Sequence, residues 1–171
     1  MKKILKFIGV ALGLLLIVFL SIGFFSPALV FKNKVVVNKP VIETFSKFLD
    51  QNLMKEWIPG FKGITWVSGF PMTLGCKWMV TIDRDGKEYK LIETLKAFKV
   101  NELFAFNLES DALSHDVAIH FSEQGDQTVI TVDNQVKGKN IFWNSLFVFR
   151  KDEFAKKQGE SYELLKKSIE H

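Results

Sequence analysis

EYKLIETLKAF, residues 88–98, alternates between two chemistries. Successive side chains of a β-strand point to opposite faces, so Tyr89, Leu91, Glu93 and Leu95 share one side and Lys90, Ile92, Thr94 and Lys96 the other. The lysine-bearing side belongs in water. Glu93 is thereby directed, with a tyrosine and two leucines, into whatever the sheet encloses. A carboxylate without a partner in a filled apolar core is heavily penalised or takes up a proton. The placement calls for a hollow interior or a nearby donor, unless a strand end or a β-bulge turns the residue outward.

The flanking segments repeat the alternation. Trp78, Val80 and Ile82 oppose Lys77, Thr81 and Asp83; Phe104, Phe106 and Leu108 oppose Asn107 and Glu109. His115, Val117, Ile119 and Phe121 share a face, as do Thr128, Ile130, Val132, Asn134 and Val136. The loop SGFPMTLG and the turns DRDG, SDALS and QGD punctuate these runs. From Phe61 to about Val136 the chain therefore reads as five or six antiparallel strands in a meander.

FKNKVVVN (31–38) reads as a first strand, with Asn38 as a helix cap ahead of Pro40. In PVIETFSKFLD the apolar positions Val41, Ile42, Phe45, Phe48 and Leu49 lie on one side of a helix, and a second short helix runs from about Leu53 to Trp57 before IPG stops it. Phe142 to Ile169 reads as one long closing helix, with Phe147, Phe154, Tyr162, Leu165 and Ile169 as its stripe. Gly159 lies inside it at a cost of about 1 kcal/mol relative to Ala, for close packing against the sheet or for room beside a ligand. The expected class is α+β, a curved antiparallel sheet wrapped around a long C-terminal helix.

Ahead of this lies FIGVALGLLLIVFLSIGFF (7–25), without a charge. Nineteen residues of helix span about 28 Å, close to the hydrocarbon core of a bilayer. Residues 1–27 are expected to be a membrane anchor and 28–171 the folded domain. A cleaved signal peptide is the rival reading, with Ser21–Gly23 and Ser26–Ala28 offering small residues for cleavage. Lys2, Lys3 and Lys6 on one flank are matched in number by Lys32, Lys34 and Lys39 on the other. The lysine-led start favours a cytoplasmic N-terminus and an extracytoplasmic domain.

The formal charge of +4 points at first to a polyanion partner. Without the three leading lysines the chain has 20 basic and 19 acidic residues, mixed along its length. A nucleic-acid partner is set aside on that ground. Cys76 is the only cysteine, which rules out an internal disulfide. His115 and His120 fall on opposite strand faces and His171 ends the chain, so no metal site is expected. There is no phosphate-binding glycine loop and no Gly-x-Ser-x-Gly elbow; neither a cofactor nor a catalytic residue is assigned.

The order of segments resembles the SRPBCC superfamily, the START-like helix-grip fold that includes polyketide cyclase/dehydrase domains, and especially small bacterial members with an N-terminal membrane segment. The resemblance covers about residues 26–170. It is carried by Ser26-Pro27 leading into FKNKVVVNKP, by VIETFSKFLD and EWIPG, by YKLIETLKAFKVNELFAFNLE with its I-x-E strand, by GDQTVITVDNQV, and by SYELLKKSIE. Two features depart from the pattern: the loop before the third strand is sparse in glycine, and KAFKVNEL replaces the usual proline. The resemblance implies a cavity between sheet and helix that commonly takes an apolar ligand.

Apolar walls with a few polar groups suit such a ligand. The expected binding surface comprises Trp78, Val80, Tyr89, Leu91, Glu93, Phe104 and Phe106, then His115, Ile119, Phe121, Ile130, Asn134, Phe154 and Tyr162. The expected function is a membrane-tethered, non-catalytic binding or carrier module for an apolar small molecule such as a lipid, quinone or isoprenoid. The alternatives are a protein-interaction or envelope-integrity module with a closed core, and a cyclase- or dehydratase-type enzyme using Glu93 and His115 as acid and base.

Overall fold

The uncharged run becomes the core of a 24-residue α-helix, α1 (Lys2–Phe25), about 36 Å long. It is long and apolar enough to cross a membrane, a property shared by signal sequences, and almost all of its surface is exposed. The computed structural model describes residues 2–171.

After α1 come β1 (Leu29–Val37), α2 (Val41–Leu49) and α3 (Met54–Trp57). Six strands follow: β2 (Phe61–Ser68), β3 (Lys77–Arg84), β4 (Lys87–Lys99), β5 (Leu103–Glu109), β6 (Leu113–Gln124) and β7 (Gln127–Gly138). They form one antiparallel sheet with β1 added beside β7, in the order β1-β7-β6-β5-β4-β3-β2. The chain closes with α4 (Ile141–Val148) and α5 (Lys151–Glu170).

Two local expectations need correction. Asn38 does not cap α2: Pro40 holds that position, while Asn38 Oδ1 accepts from Gln127 Nε2 at 2.6 Å and the Asn38 backbone N–H donates to Glu170 Oε1 at 2.7 Å. Asn38 thus joins β7 and the end of α5 rather than starting a helix.

The single closing helix is two helices, broken at Phe149–Arg150. Asn140 caps α4 by accepting from the Trp143 N–H at 3.1 Å, and Asp152 and Glu153 stand in the first turn of α5, where carboxylates favour a helix start. Neither glycine nor proline marks the break.

A further local feature lies at the end of β4. The β4–β5 register shifts between Leu95 and Ala97, a bulge that reverses the alternation beyond it. Phe98 consequently turns inward, its ring 6.0 Å from that of Phe45 and 6.2 Å from that of Phe104. Glu93 precedes the bulge and keeps its inward direction.

Two apolar clusters hold α5 to the sheet. The larger joins α2, α3 and α5 to the inner face through Phe45, Phe48, Trp57, Leu95, Phe121, Ile130 and Leu165. Its rings interlock: Phe45 meets Phe121 at 5.0 Å and Phe48 meets Phe104 at 5.5 Å, both near edge-to-face. The smaller joins Leu29, Phe31, Val136 and Phe147, with Trp143 and Phe154 against it.

Gly159 is explained by close packing. A Cβ there would meet Asn33 Nδ2 at 3.2 Å, the atom that donates to the Ala155 carbonyl at 3.0 Å.

The last turns of α1 do not hang free. Gly23 is buried against α4, its N–H donating to Ser145 Oγ at 3.1 Å, and a Cβ on it would fall only 2.3 Å from the Ile141 carbonyl oxygen. Phe19 packs on Phe142 at 5.6 Å and stacks on Phe149 at 6.1 Å.

Candidate functional site: a cavity under β2 to β6

The larger cluster fills the space beneath α2, but α3 is one turn long and cannot fill the rest. A cavity of about 800 Å³ remains between α3, the middle of α5 and the inner face from β2 to β6. That volume lies within the range of small-molecule sites. Sheet residues supply Ile64, Trp66, Val80, Ile82, Leu108 and Val117, while α2, α3 and the segment between them supply Phe48, Leu49, Gln51, Met54 and Trp57. The β2–β3 loop brings Pro71 and Met72 to the edge, with Phe70 and Leu74 exposed beside them. At the opposite side IPG ends in Gly60, whose φ of +76° turns the chain into β2 and whose carbonyl accepts from the Asp83 N–H at 2.7 Å.

One cross-strand row organises the inner face. In register, Trp66 pairs with Trp78, Trp78 with Glu93, Glu93 with Leu108, Leu108 with His115, and His115 with Val136. Seven of the residues expected at the binding surface line the cavity: Trp78, Val80, Leu91, Glu93, Phe104, Phe106 and Tyr162. Ile119, Phe121 and Ile130 lie on the inner face but are buried in the larger cluster. Phe154 packs with Phe147 in the smaller one. Tyr89 has the right parity but is 44% exposed, near the β3–β4 turn, with Lys87 Nζ 5.5 Å from its ring centroid.

Glu93 is enclosed by protein yet keeps part of its surface open to the cavity. Loss of solvent pushes its carboxyl up to about 8, opposed by hydrogen bonding to the Trp78 side chain. Across the cavity Tyr162 stacks on Trp57 at 6.3 Å. Burial first, and then the charge of Glu93, raise the Tyr162 phenol, while a hydrogen bond to Gln158 opposes both. The buried Trp57 Nε1 has no hydrogen-bond partner.

His115 and Asn134 belong to a different arrangement. His115 Nε2 lies 3.0 Å from Asn134 Oδ1, Asn134 Nδ2 reaches Asn33 Oδ1 at 3.4 Å, and Asn33 continues to Ala155 of α5. Burial lowers the His115 imidazole; the Asn134 hydrogen bond and the charge of Asp116 oppose that shift. This chain ties β6, β7, β1 and α5 together. Leu108 stands between His115 and Glu93 in the row, placing their backbones two strand spacings, or about 10 Å, apart.

Reasoning on strand parity missed the contribution of α3 and its surroundings, including Trp57, Met54 and Ile58. It also missed Gln158 and Ser161, which stand beside Tyr162 on α5. Helical spacing from Tyr162 gives a signal for Gln158, four positions earlier on the same face, but none for Ser161, one position earlier. Among the described residues no group of three or more His, Cys, Asp or Glu could hold a metal ion.

No protein-family model matches the chain. No curated protein matches it. Solved structures do. A START superfamily protein from Mycobacterium smegmatis aligns over 82% of this chain and 94% of its own, with a TM-score of 0.61 and 19% identity. Ara h 8.0201 aligns over 83% and 97% respectively, with a TM-score of 0.63 and 14% identity. The di-domain ARO/CYC StfQ from the steffimycin biosynthetic pathway aligns over 85% of this chain but 51% of its own, with a TM-score of 0.65 and 11% identity. At such identities it is architecture that is shared: the chain has the START-like helix-grip fold, with an apolar helix ahead of it.

Proposed function

We propose that this chain is a membrane-tethered module that binds a hydrophobic small molecule of the lipid, quinone or isoprenoid kind without transforming it. One observation carries the reading: the cavity of about 800 Å³, walled chiefly by aromatic and aliphatic side chains around a single carboxyl group. Apolar walls supply affinity and the few polar groups supply orientation. The binding residues are Trp78, Val80, Leu91, Glu93, Phe104, Phe106 and Tyr162, joined by Trp57 and Met54 from α3. The distance between Glu93 and His115 supports binding without acid–base chemistry, because a general acid and base must both reach the substrate. In this reading α1 holds the module to the bilayer, with the N-terminus in the cytoplasm and the domain outside it.

The test is native mass spectrometry of the full chain released from membranes without denaturation, beside a Leu91→Trp variant whose indole occupies the cavity. The expected result is a co-purified apolar compound on the wild type, reduced at least about tenfold in a variant that remains folded. Wild-type protein that is empty and takes up no apolar probe refutes the proposal.

A further inference from the structure

The wall around Glu93 has a particular chemistry. Trp66, Trp78 and Glu93 are consecutive members of the cross-strand row, so their side chains project side by side, with Cβ atoms about 5 Å apart. Trp57 and Tyr162 face the same chamber from α3 and α5. No lysine, arginine or histidine lines it. The elements around Glu93 offer it Trp78 from β3, Leu108 from β5, Trp57 from α3, and Gln158, Ser161 and Tyr162 from α5. Tyr162 is the one titratable group among these, and its raised phenol stays neutral.

A carboxyl group without an internal counter-ion, in a chamber also lined by Trp57, Trp66, Trp78 and Tyr162, favours a cation. The carboxylate pairs with it, and indole and phenol faces attract it through their quadrupoles. We propose that the cavity takes a lipophilic ammonium compound, with its cationic nitrogen between Glu93 and the tryptophan rings and its apolar tail along Val80, Leu91, Phe104 and Phe106. This rests on the reading of the cavity as a binding site and deepens it by fixing the charge of the ligand.

Without ligand, Glu93 is protonated at neutral pH. An arriving cation of fixed charge therefore displaces that proton to solvent as it pairs with the carboxylate. Its affinity rises about tenfold per pH unit below pH 8 and levels off above it. An ammonium group can arrive on a single-chain amine or on a phosphocholine lipid head. A phosphate would occupy the same cation-free chamber, so charge balance favours the single-chain form.

The test uses the full chain in a non-ionic amphipol, titrated with decyltrimethylammonium, decylphosphocholine, decanol and decanoate and followed by tryptophan fluorescence. For the wild type, decyltrimethylammonium is expected to bind about tenfold more tightly than decanol, with decanoate weakest. Glu93→Gln should abolish the preference and retain decanol binding. Trp66→Leu, at the exposed rim, should weaken the cation severalfold and decanol little. Decylphosphocholine matching decyltrimethylammonium, with the same dependence on Glu93, supports the ammonium site and assigns its source to a lipid head. Decanol or decanoate binding as tightly as the cation overturns the inference while leaving the binding site standing. Failure of all four probes to bind overturns both.

Discussion

Below about pH 8 the Glu93 carboxyl keeps its proton in the folded chain, whereas in the unfolded chain it ionises near the ordinary value of about 4.3. Between those values the folded state holds more protons, so stability falls as pH rises. The contribution is full below about pH 4 and gone above about pH 8. We expect a loss of roughly 2–4 kcal/mol across that window, after discounting for the side of the carboxyl open to the cavity. Thermal unfolding of the ligand-free chain at pH 5 and pH 8 measures it, and Glu93→Gln should flatten the slope; equal slopes would mean a solvated carboxyl. Glu93 was legible because alternation reports the side on which a residue stands. It does not report depth. Tyr89 has the same parity, yet it sits where the β3–β4 hairpin turns and its ring meets solvent.

Elements were legible where chemistry punctuates them. The turns DRDG and QGD and the stop IPG leave marks that any reader of turn residues finds. The break between α4 and α5 leaves none, because it follows from packing: α4 is apolar nearly all round and serves both α1 and the end of the sheet. The bulge after Leu95 is equally silent, so the inward turn of Phe98 appears only in the three-dimensional fold. The contact between α1 and α4 gives a direct test. Gly23→Val places a branched side chain against the backbone of Ile141 and Ser145, atoms that cannot give way cheaply. It should part the helices and cost about 1–3 kcal/mol in thermal unfolding of the full chain. An unchanged melting temperature would show that the two helices do not depend on each other.

For the molecule as a whole, the order of its parts was enough to suggest the architecture: an apolar helix, a strand, short helices, a meander and a helical close. The hollow was harder to read. The short α3 was legible, expected from about Leu53 to Trp57 and found at Met54–Trp57, but that it leaves space beside α2 depends on packing that segment lengths do not report. The proposed anchoring makes a prediction at this scale. The full chain should resist an alkaline carbonate wash of membranes, a chain lacking residues 1–27 should be released, and protease supplied from the extracytoplasmic side should reach the domain. Release of the full chain would point to a removable leader instead of an anchor.

Three residues, Ser26 to Ala28, separate α1 from β1, a reach of at most about 10 Å. Gly23, clasped by Ser145, removes most of the swing that even so short a leash would permit. Under the anchoring and binding proposed above, a receptacle mounted this way would be a fixture and not a ferry. It would trade only with molecules drifting along its own sheet of lipid and would not carry cargo to a facing surface.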